Sequence, residues 1–286
     1  MEGHYTIKEA TGKYIDACKA KAQKSAGRIL GNAVMAGMMI AMGAAISSVA
    51  AHTVKDVGLA RLAAAVVFPV GLMMVVMLGA ELFTGDCLFV TSVLDKKQRL
   101  ADYAKLLVIV YIGNFIGAAL TAWFISMSGQ WDYSAGMLGA YTIKVAVGKV
   151  NISFLQGIVS GILCNILVCG AVLMAFCAKD VTGKLLVCFF VIMLFVTGGF
   201  EHCVANMYYI TAGLMANADP EYANLAMETY GFCAEYLETL NLKNYLLANL
   251  LPVTIGNIIG GAVCVGFPMY YWNYTDAKPF GKKKNK

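Results

Sequence analysis

Charge is what this chain has least of. Asp, Glu, Lys and Arg make up 14% of its 286 residues, where a soluble domain carries roughly a quarter. It also lacks any long polar stretch that could fold by itself in water, which excludes a separate soluble catalytic or nucleic-acid-binding domain. No HExxH, no GxSxG and no nucleotide-binding motif occurs, so the commonest hydrolase and NTPase chemistries have no anchor in the sequence. The one cluster that would suit a nucleophile and a base, "FEHCVAN", puts Glu201, His202 and Cys203 side by side, and adjacent side chains on a helix point in different directions. The nine cysteines contain no CxxC pair, and Cys87, Cys164, Cys169, Cys177, Cys188, Cys203 and Cys264 fall in apolar runs, where a thiol acts as a small buried hydrophobe. The chain is therefore expected to be no enzyme and to need no metal and no cofactor.

What is present is apolar surface: 59% of the residues are hydrophobic, and windows of about 20 such residues recur from residue 29 almost to residue 273. Six apolar segments run at about 29 to 51, 62 to 94, 103 to 127, 153 to 178, 185 to 215 and 245 to 272. The expectation is an all-α membrane protein of six transmembrane helices. It divides into a cytoplasmic N-terminal segment over 1–28, a channel domain over 29–273 and a basic tail over 274–286. With no signal-peptide core before residue 29, the first run reads as a permanent span and nothing is expected to be cleaved. Placing the N-terminus inside puts 17 of the 22 Lys and Arg residues on the cytoplasmic side and 5 outside, which predicts a plasma-membrane protein with both termini cytoplasmic. Residues 5 to 25 space Tyr5, Ile7, Tyr14, Ile15 and Cys18 among lysines, the pattern of an amphipathic helix on the inner surface. The terminal "GKKKNK" reads as a topology anchor, with nucleic acid not expected as a partner.

Internal repetition sets the architecture. "IGNFIGAA" in the third span returns as "IGNIIGGA" in the sixth, and "LGAELFTG" in the second has a counterpart in "TGGFEHCVAN" in the fifth. With an odd number of spans per half, the halves enter the bilayer in opposite directions, which predicts two inverted three-helix repeats. The second and fifth segments, 33 and 31 residues long, exceed what one spanning helix needs. Each carries polar residues flanked by glycine at the matching place, so both helices are expected to be broken near the midplane, where such paired interruptions mark a transport site. Glu81 and Glu201 read as braces for the two loops, and Asp86 as a cap for the half-helix that follows. Thr84 and His202, on facing loops, are expected to meet and present a donor to a passing solute. Lys149, at the end of an outer loop, is expected to gather anions.

The pair "GAELFTG" and "GFEHCVANM", with Lys149 in "GKVNISF" and Asn165 in "GILCNILVCGAVLMAF", resembles the formate/nitrite transporter family over nearly the whole chain. The resemblance implies an aquaporin-like six-helix protomer assembled as a homopentamer, with one pore through each protomer. It makes Thr84, His202, Lys149, Asn165 and Asn206 the pore residues and Phe68, Leu72, Leu82, Val168 and Phe195 the apolar constrictions. The expected function is passage of small monovalent anions of weak acids, such as formate, nitrite or hydrosulfide, passively or linked to a proton supplied at His202. "LFTG" in place of the "LFTS" of some formate-type members keeps nitrite and hydrosulfide open beside formate. The alternative, an aquaporin-like channel for small neutral solutes, is weakened because no Asn-Pro dipeptide exists to cap paired half-helices.

Overall fold

The computed structural model describes residues 3–275, and the chain is helical almost throughout. A first helix, α1 (Ile7–Ala22), starts in a capping box: the Glu9 backbone N–H donates to the Thr6 hydroxyl at 3.3 Å while the Glu9 carboxylate accepts the Thr6 N–H at 2.7 Å. Among the described residues six helices are long and apolar enough to cross a membrane: α2 (Ala26–Ala51), α3 (Val57–Leu78), α5 (Leu100–Met127), α7 (Phe154–Cys177), α8 (Val181–Gly198) and α12 (Leu242–Tyr274). Two shorter apolar helices, α4 (Phe83–Leu94) and α9 (Cys203–Asn217), follow α3 and α8 in the chain. Between them lie α6 (Met137–Val150), α10 (Pro220–Tyr230) and the single-turn α11 (Ala234–Glu238). The protein is a multi-pass membrane protein.

Both polar insertions fall where helices stop. The helix α3 ends at Leu78 with Gly79 in the left-handed region at φ 65°, and α8 ends at Gly198 with Gly199 at φ 68°. An L side chain adopts that conformation only with strain, so glycine is what lets each helix close. Ala80–Leu82 and Phe200–His202 are non-helical, and the chain turns helical again at Phe83 and at Cys203.

The spans pack backbone to backbone. A Cβ at Gly117 would overlap the Val34 carbonyl on α2, and one at Gly256 would overlap the Ile158 carbonyl on α7. Small residues permit this approach, and where lipid removes the hydrophobic drive between helices, van der Waals contact supplies the adhesion. Large apolar side chains such as Trp123, Phe124, Phe190 and Leu194 are left pointing outward.

Several expectations need adjusting. The first span begins at Ala26 rather than residue 29, so Arg28 sits on its first turn. Lys149 lies on the last turn of α6, a 14-residue helix whose Ile143, Ala146, Val147 and Val150 are buried, rather than on an outer loop. Asp86 caps nothing: the position before α4 is Leu82, which makes no side-chain cap, and Asp86 comes four residues later. Among the cysteines, Cys264 is exposed on α12 and Cys177 half-buried, while the other five in apolar runs are buried. Most of the basic tail, 276–286, lies outside the described residues.

Replacing Gly256 by valine forces α7 and α12 apart, at about 1–3 kcal/mol for an overpacked contact. The expected outcome is a lower melting temperature of the detergent-solubilised protein, with Gly148→Ala, whose Cβ would meet nothing within 4 Å, as the neutral control. Equal melting of the two variants would refute the close approach.

Candidate functional site

Non-helical backbone deep in hydrocarbon is tolerated only where its amides and carbonyls find partners. Two asparagines supply them, one from each copy of the IGN repeat. The side chain of Asn114 accepts the Phe83 N–H at 2.9 Å and donates to the carbonyls of Glu81 (2.9 Å) and Ala33 (2.8 Å). Its counterpart Asn257 accepts the Cys203 N–H at 2.9 Å and donates to Glu201 (3.0 Å) and Gly161 (2.8 Å). Each amide thus caps the first N–H of a half-helix, holds the loop before it and ties both to a neighbouring span. Both asparagines are fully buried. They went unremarked in the reading of site residues, although the repeated Asn in "IGNFIGAA" and "IGNIIGGA" was the available signal.

The two loops meet at Thr84 and His202, whose hydroxyl and imidazole Nε2 are 2.9 Å apart. His202 is the cap of α9: its Nδ1 accepts the Ala205 N–H at 3.0 Å. A nitrogen that accepts a hydrogen bond bears no proton, so a neutral ring must carry its hydrogen on Nε2, which then donates to the Thr84 oxygen. The hydroxyl hydrogen of Thr84 is thereby freed to point elsewhere. Both residues are buried.

On one side of this pair lies a cavity of about 290 Å³, lined by Arg61, Phe68, Tyr209, Phe195, Lys149 and His202 among others. Phe68 and Phe195 meet edge to face with ring centroids 5.6 Å apart, and the Phe195 ring lies 5.9 Å from the imidazole. Lys149 is not a free charge. Its ammonium pairs with Glu201 at 2.9 Å and lies 5.4 Å from the Tyr209 ring centroid. The other Glu201 oxygen accepts from Asn206 at 2.6 Å and Asn249 at 3.4 Å, and Asn206 also donates to Asn249 at 2.8 Å. Arg61 makes no ion pair with any described residue, so it carries the uncompensated positive charge of this cavity. Sequence reading had counted Arg61 only toward topology.

On the other side a cavity of about 310 Å³ is lined by Leu72, Leu82, Glu81, Asp86, Lys21 and Lys24 among others, and α1 lies across it. Lys21 pairs with both Asp86 and Glu81, and Lys24 with Glu81 at 2.9 Å. Burial opposes the charge on Lys21, but the Asp86 and Glu81 carboxylates more than offset it and hold its ammonium above the ordinary lysine range. The Tyr14 hydroxyl donates to the Gly85 carbonyl at 3.0 Å, and its ring meets Phe176 edge to face. The hydrogen-bonded partners of Tyr14, Lys21 and Lys24 lie 57 to 71 positions away in the chain.

The structure therefore brings Thr84 and His202 together, with Lys149 and Asn206 in the network around Glu201. Asn165 is turned inward: its amide donates to the carbonyls of Thr84 (3.1 Å) and Asn257 (2.6 Å), and it lines neither cavity. Leu72 and Leu82 flank the α1 side, Phe68 and Phe195 the other, and Val168 is buried on α7 without lining either cavity.

The chain is similar to known proteins over most of its length. The family described as Formate/nitrite transporter matches residues 8–271. A formate channel of Haemophilus influenzae is 37% identical over 220 residues, 76% of each chain. A probable formate transporter of Methanothermobacter thermautotrophicus is 32% identical, covering 90% of this chain and 94% of its own length. Among solved structures, a pentameric formate channel with formate bound superposes with a TM-score of 0.76 at 32% identity, covering 87% of this chain and 97% of that one. An ion channel of the same family gives a TM-score of 0.73 at 25% identity, with 94% and 98% covered.

Truncating either clamp removes three buried hydrogen bonds, at about 1 kcal/mol each, and more where the loop N–H is left without a partner. Asn114→Ala and Asn257→Ala are each expected to lower the melting temperature markedly and to lose the folded oligomer on size exclusion. Native-like melting of either variant would show that the loops hold themselves.

Proposed function

The chain belongs to the formate/nitrite transporter family, and from that premise we propose that it conducts small monovalent anions of weak acids through a pore in each protomer of a homopentamer. Formate is the first candidate, because the relatives carry that name and a solved neighbour holds formate. Nitrite and hydrosulfide share its charge and small size. The placement is the plasma membrane with both termini cytoplasmic, 1–28 as the inner segment and 29–273 as the channel. Its two halves form inverted repeats, a reading supported by the matched clamps at Asn114 and Asn257 and by helices that stop at Gly79 and Gly199. The relatives are channels and transporters, in keeping with a protein that catalyses no chemical change.

The observation that carries this reading is the Thr84–His202 hydrogen bond between two cavities lined by cations and aromatic or aliphatic side chains. Taking a bare monovalent anion into a low-dielectric medium has an idealised cost of order 20 kcal/mol. The protein lowers it in stages. Arg61 raises the local anion concentration at the outer mouth. The Thr84 hydroxyl, turned outward by the donation from His202, replaces a lost hydration bond at the narrowest place. Phe68 with Phe195, and Leu72 with Leu82, close the passage to water on either side, with Val168 supporting the wall. Asn165 and Asn206 serve by positioning, through Thr84 and Glu201, and Glu81 and Glu201 brace the two loops. His202 acts here as a donor rather than a store of protons, since a proton on Nδ1 would displace the cap of α9. Any proton that crosses with the solute comes from water in the outer cavity. A neutral-solute channel has no use for the unpaired Arg61.

Liposome flux of formate, nitrite and hydrosulfide across pH tests the assignment. Asn at position 202 can still cap a helix and donate an amide N–H, so His202→Asn is expected to keep the native pH profile at a rate within about 10-fold, while His202→Ala loses more. A pH dependence abolished in His202→Asn would restore the histidine as proton donor. Arg61→Gln is expected to reduce flux several-fold at low salt and little at high salt, because screening removes a long-range attraction. Equal flux at both salts would remove Arg61 from the pathway.

A further inference from the structure

We propose that the outer cavity is also a binding site for an aromatic monocarboxylate, which seats its carboxylate on Arg61 and its ring against Phe68 and Phe195 and so closes the pore to smaller anions. The cavity holds about 290 Å³, several times what formate fills, and no carboxylate lines it. Its walls include the rings of Phe68, Tyr141, Phe195, Phe200 and Tyr209. Cavities of this kind, mostly apolar or aromatic with a few placed polar groups, are what hold organic ligands.

One charge in this cavity is unanswered. Lys149 is held by Glu201 at 2.9 Å, the other oxygen of that carboxylate takes the Asn206 amide, and His202 is held by Thr84 at 2.9 Å. The Ser47 hydroxyl donates its single hydrogen to the Ala44 carbonyl at 2.7 Å, so the Tyr209 hydroxyl, 2.7 Å away, donates to Ser47 and the Tyr209 ring stands as a fixed wall. Arg61 alone among the cations here has no ion pair with a described residue. A single guanidinium fork fits one carboxylate bidentately, while a dianion would bring a second charge that nothing in the cavity meets.

The position of that fork is fixed by α8. A Cβ built on Gly199 would lie 3.3 Å and 3.5 Å from the two terminal guanidinium nitrogens of Arg61, so the group rests on the turn that ends the helix. Gly199 stands four residues beyond Phe195, about 6 Å of helix rise. On α3, Arg61 and Phe68 are two turns apart and share a face. The cation therefore lies about one turn outward of Phe68 and Phe195, whose rings meet edge to face with centroids 5.6 Å apart. Formate is too short to touch both the fork and the rings. A carboxylate that carries an aromatic ring spans the interval, and its ring finds edges and faces to pack on. Rings in contact must part for any solute, slightly for a small planar anion and by a whole ring's width for an aryl group. The larger ligand is held where formate passes on.

The proposal rests on the pore reading given above, and binding measured in detergent, without flux, lets the two fail separately. Full-length protein in neutral detergent is titrated calorimetrically at neutral pH with benzoate, benzamide or cyclohexanecarboxylate, and benzoate is added to liposomes taking up formate. Benzoate is expected to bind saturably and to lower formate uptake over the same concentrations. Benzamide, with the shape but not the charge, is expected to bind about 10-fold more weakly, and cyclohexanecarboxylate, with the charge but not the aromatic ring, several-fold more weakly. Arg61→Gln is expected to weaken benzoate about 10-fold, and Arg61→Lys, which keeps the charge and loses the fork, several-fold. Equal binding of benzamide or cyclohexanecarboxylate, an unchanged affinity in Arg61→Gln, or uptake of benzoate at the rate of formate overturns the proposal. Should Arg61→Gln fail to form the native oligomer, Arg61→Lys carries the test, and an unchanged affinity there overturns it as well. Formate uptake without benzoate binding overturns this proposal alone; benzoate binding without formate uptake overturns the pore reading and leaves the site standing.

Discussion

The need to satisfy backbone amides away from water governs everything else in this molecule. A pore needs polar groups halfway through the bilayer, and interrupting a helix exposes N–H and C=O groups there, but each one left unpaired costs several kcal/mol in hydrocarbon. Asn114 and Asn257 resolve the conflict with one side chain apiece, using both donors and the acceptor of the amide. No other uncharged side chain offers that set on so short a stem; glutamine has it one methylene further out. Because each clamp also bonds to a neighbouring span, at Ala33 or Gly161, the loop position is tied to helix packing, and the glycines beside the asparagines are what let the spans come close enough.

A second constraint follows at once. Loops held this rigidly can aim side chains, and what they aim is a pair of groups rather than a charge. The carboxylates beside the loops are each answered by a cation: Glu201 by Lys149, Glu81 by Lys21 and Lys24. The interior is therefore close to neutral at both loops, which keeps a passing anion from being trapped by a bare ammonium or repelled by a bare carboxylate. On the side of the septum away from α1, Arg61 has no ion pair among the described residues, while at the centre Thr84 and His202 meet in a hydrogen bond.

Much of the fold was legible because a spanning helix needs about 20 apolar residues and nothing else in the chain mimics that signal. The places where α3 and α8 stop were legible for the same reason, since glycine and polar residues stand out in so oily a run. Thr84 and His202 could be paired because they belong to the two polar insertions that the repeat sets facing each other. What escaped was of two kinds. The helix α6 is too short to register as a span and carries Lys144 and Lys149, so it read as loop; its packing against α9 and α10 buries its apolar face. Roles defined by distant partners also escaped. Nothing local says that Lys21 and Lys24 meet Glu81 and Asp86, that Asn165 faces backbone rather than a cavity, or that Lys149 is neutralised while Arg61 is not.

The distribution of bonds also bears on which part of the protein is free to move. The septum between the cavities is fixed from all sides: Asn165 and the Cys169 thiol on the Thr84 carbonyl, the Tyr14 hydroxyl on Gly85, the Tyr103 hydroxyl on Cys87. Shifting it would break several buried hydrogen bonds together, a motion too unfavourable to accompany each passing ion. By contrast α1 is attached by the buried side chains of Ala10, Thr11, Tyr14, Ile15 and Cys18, by a backbone bond at Tyr5 and by ion pairs from lysines still partly open to water. The lysine ends of those pairs reach water, but Glu81 and Asp86 are buried, so lifting α1 would leave two buried carboxylates without their partners.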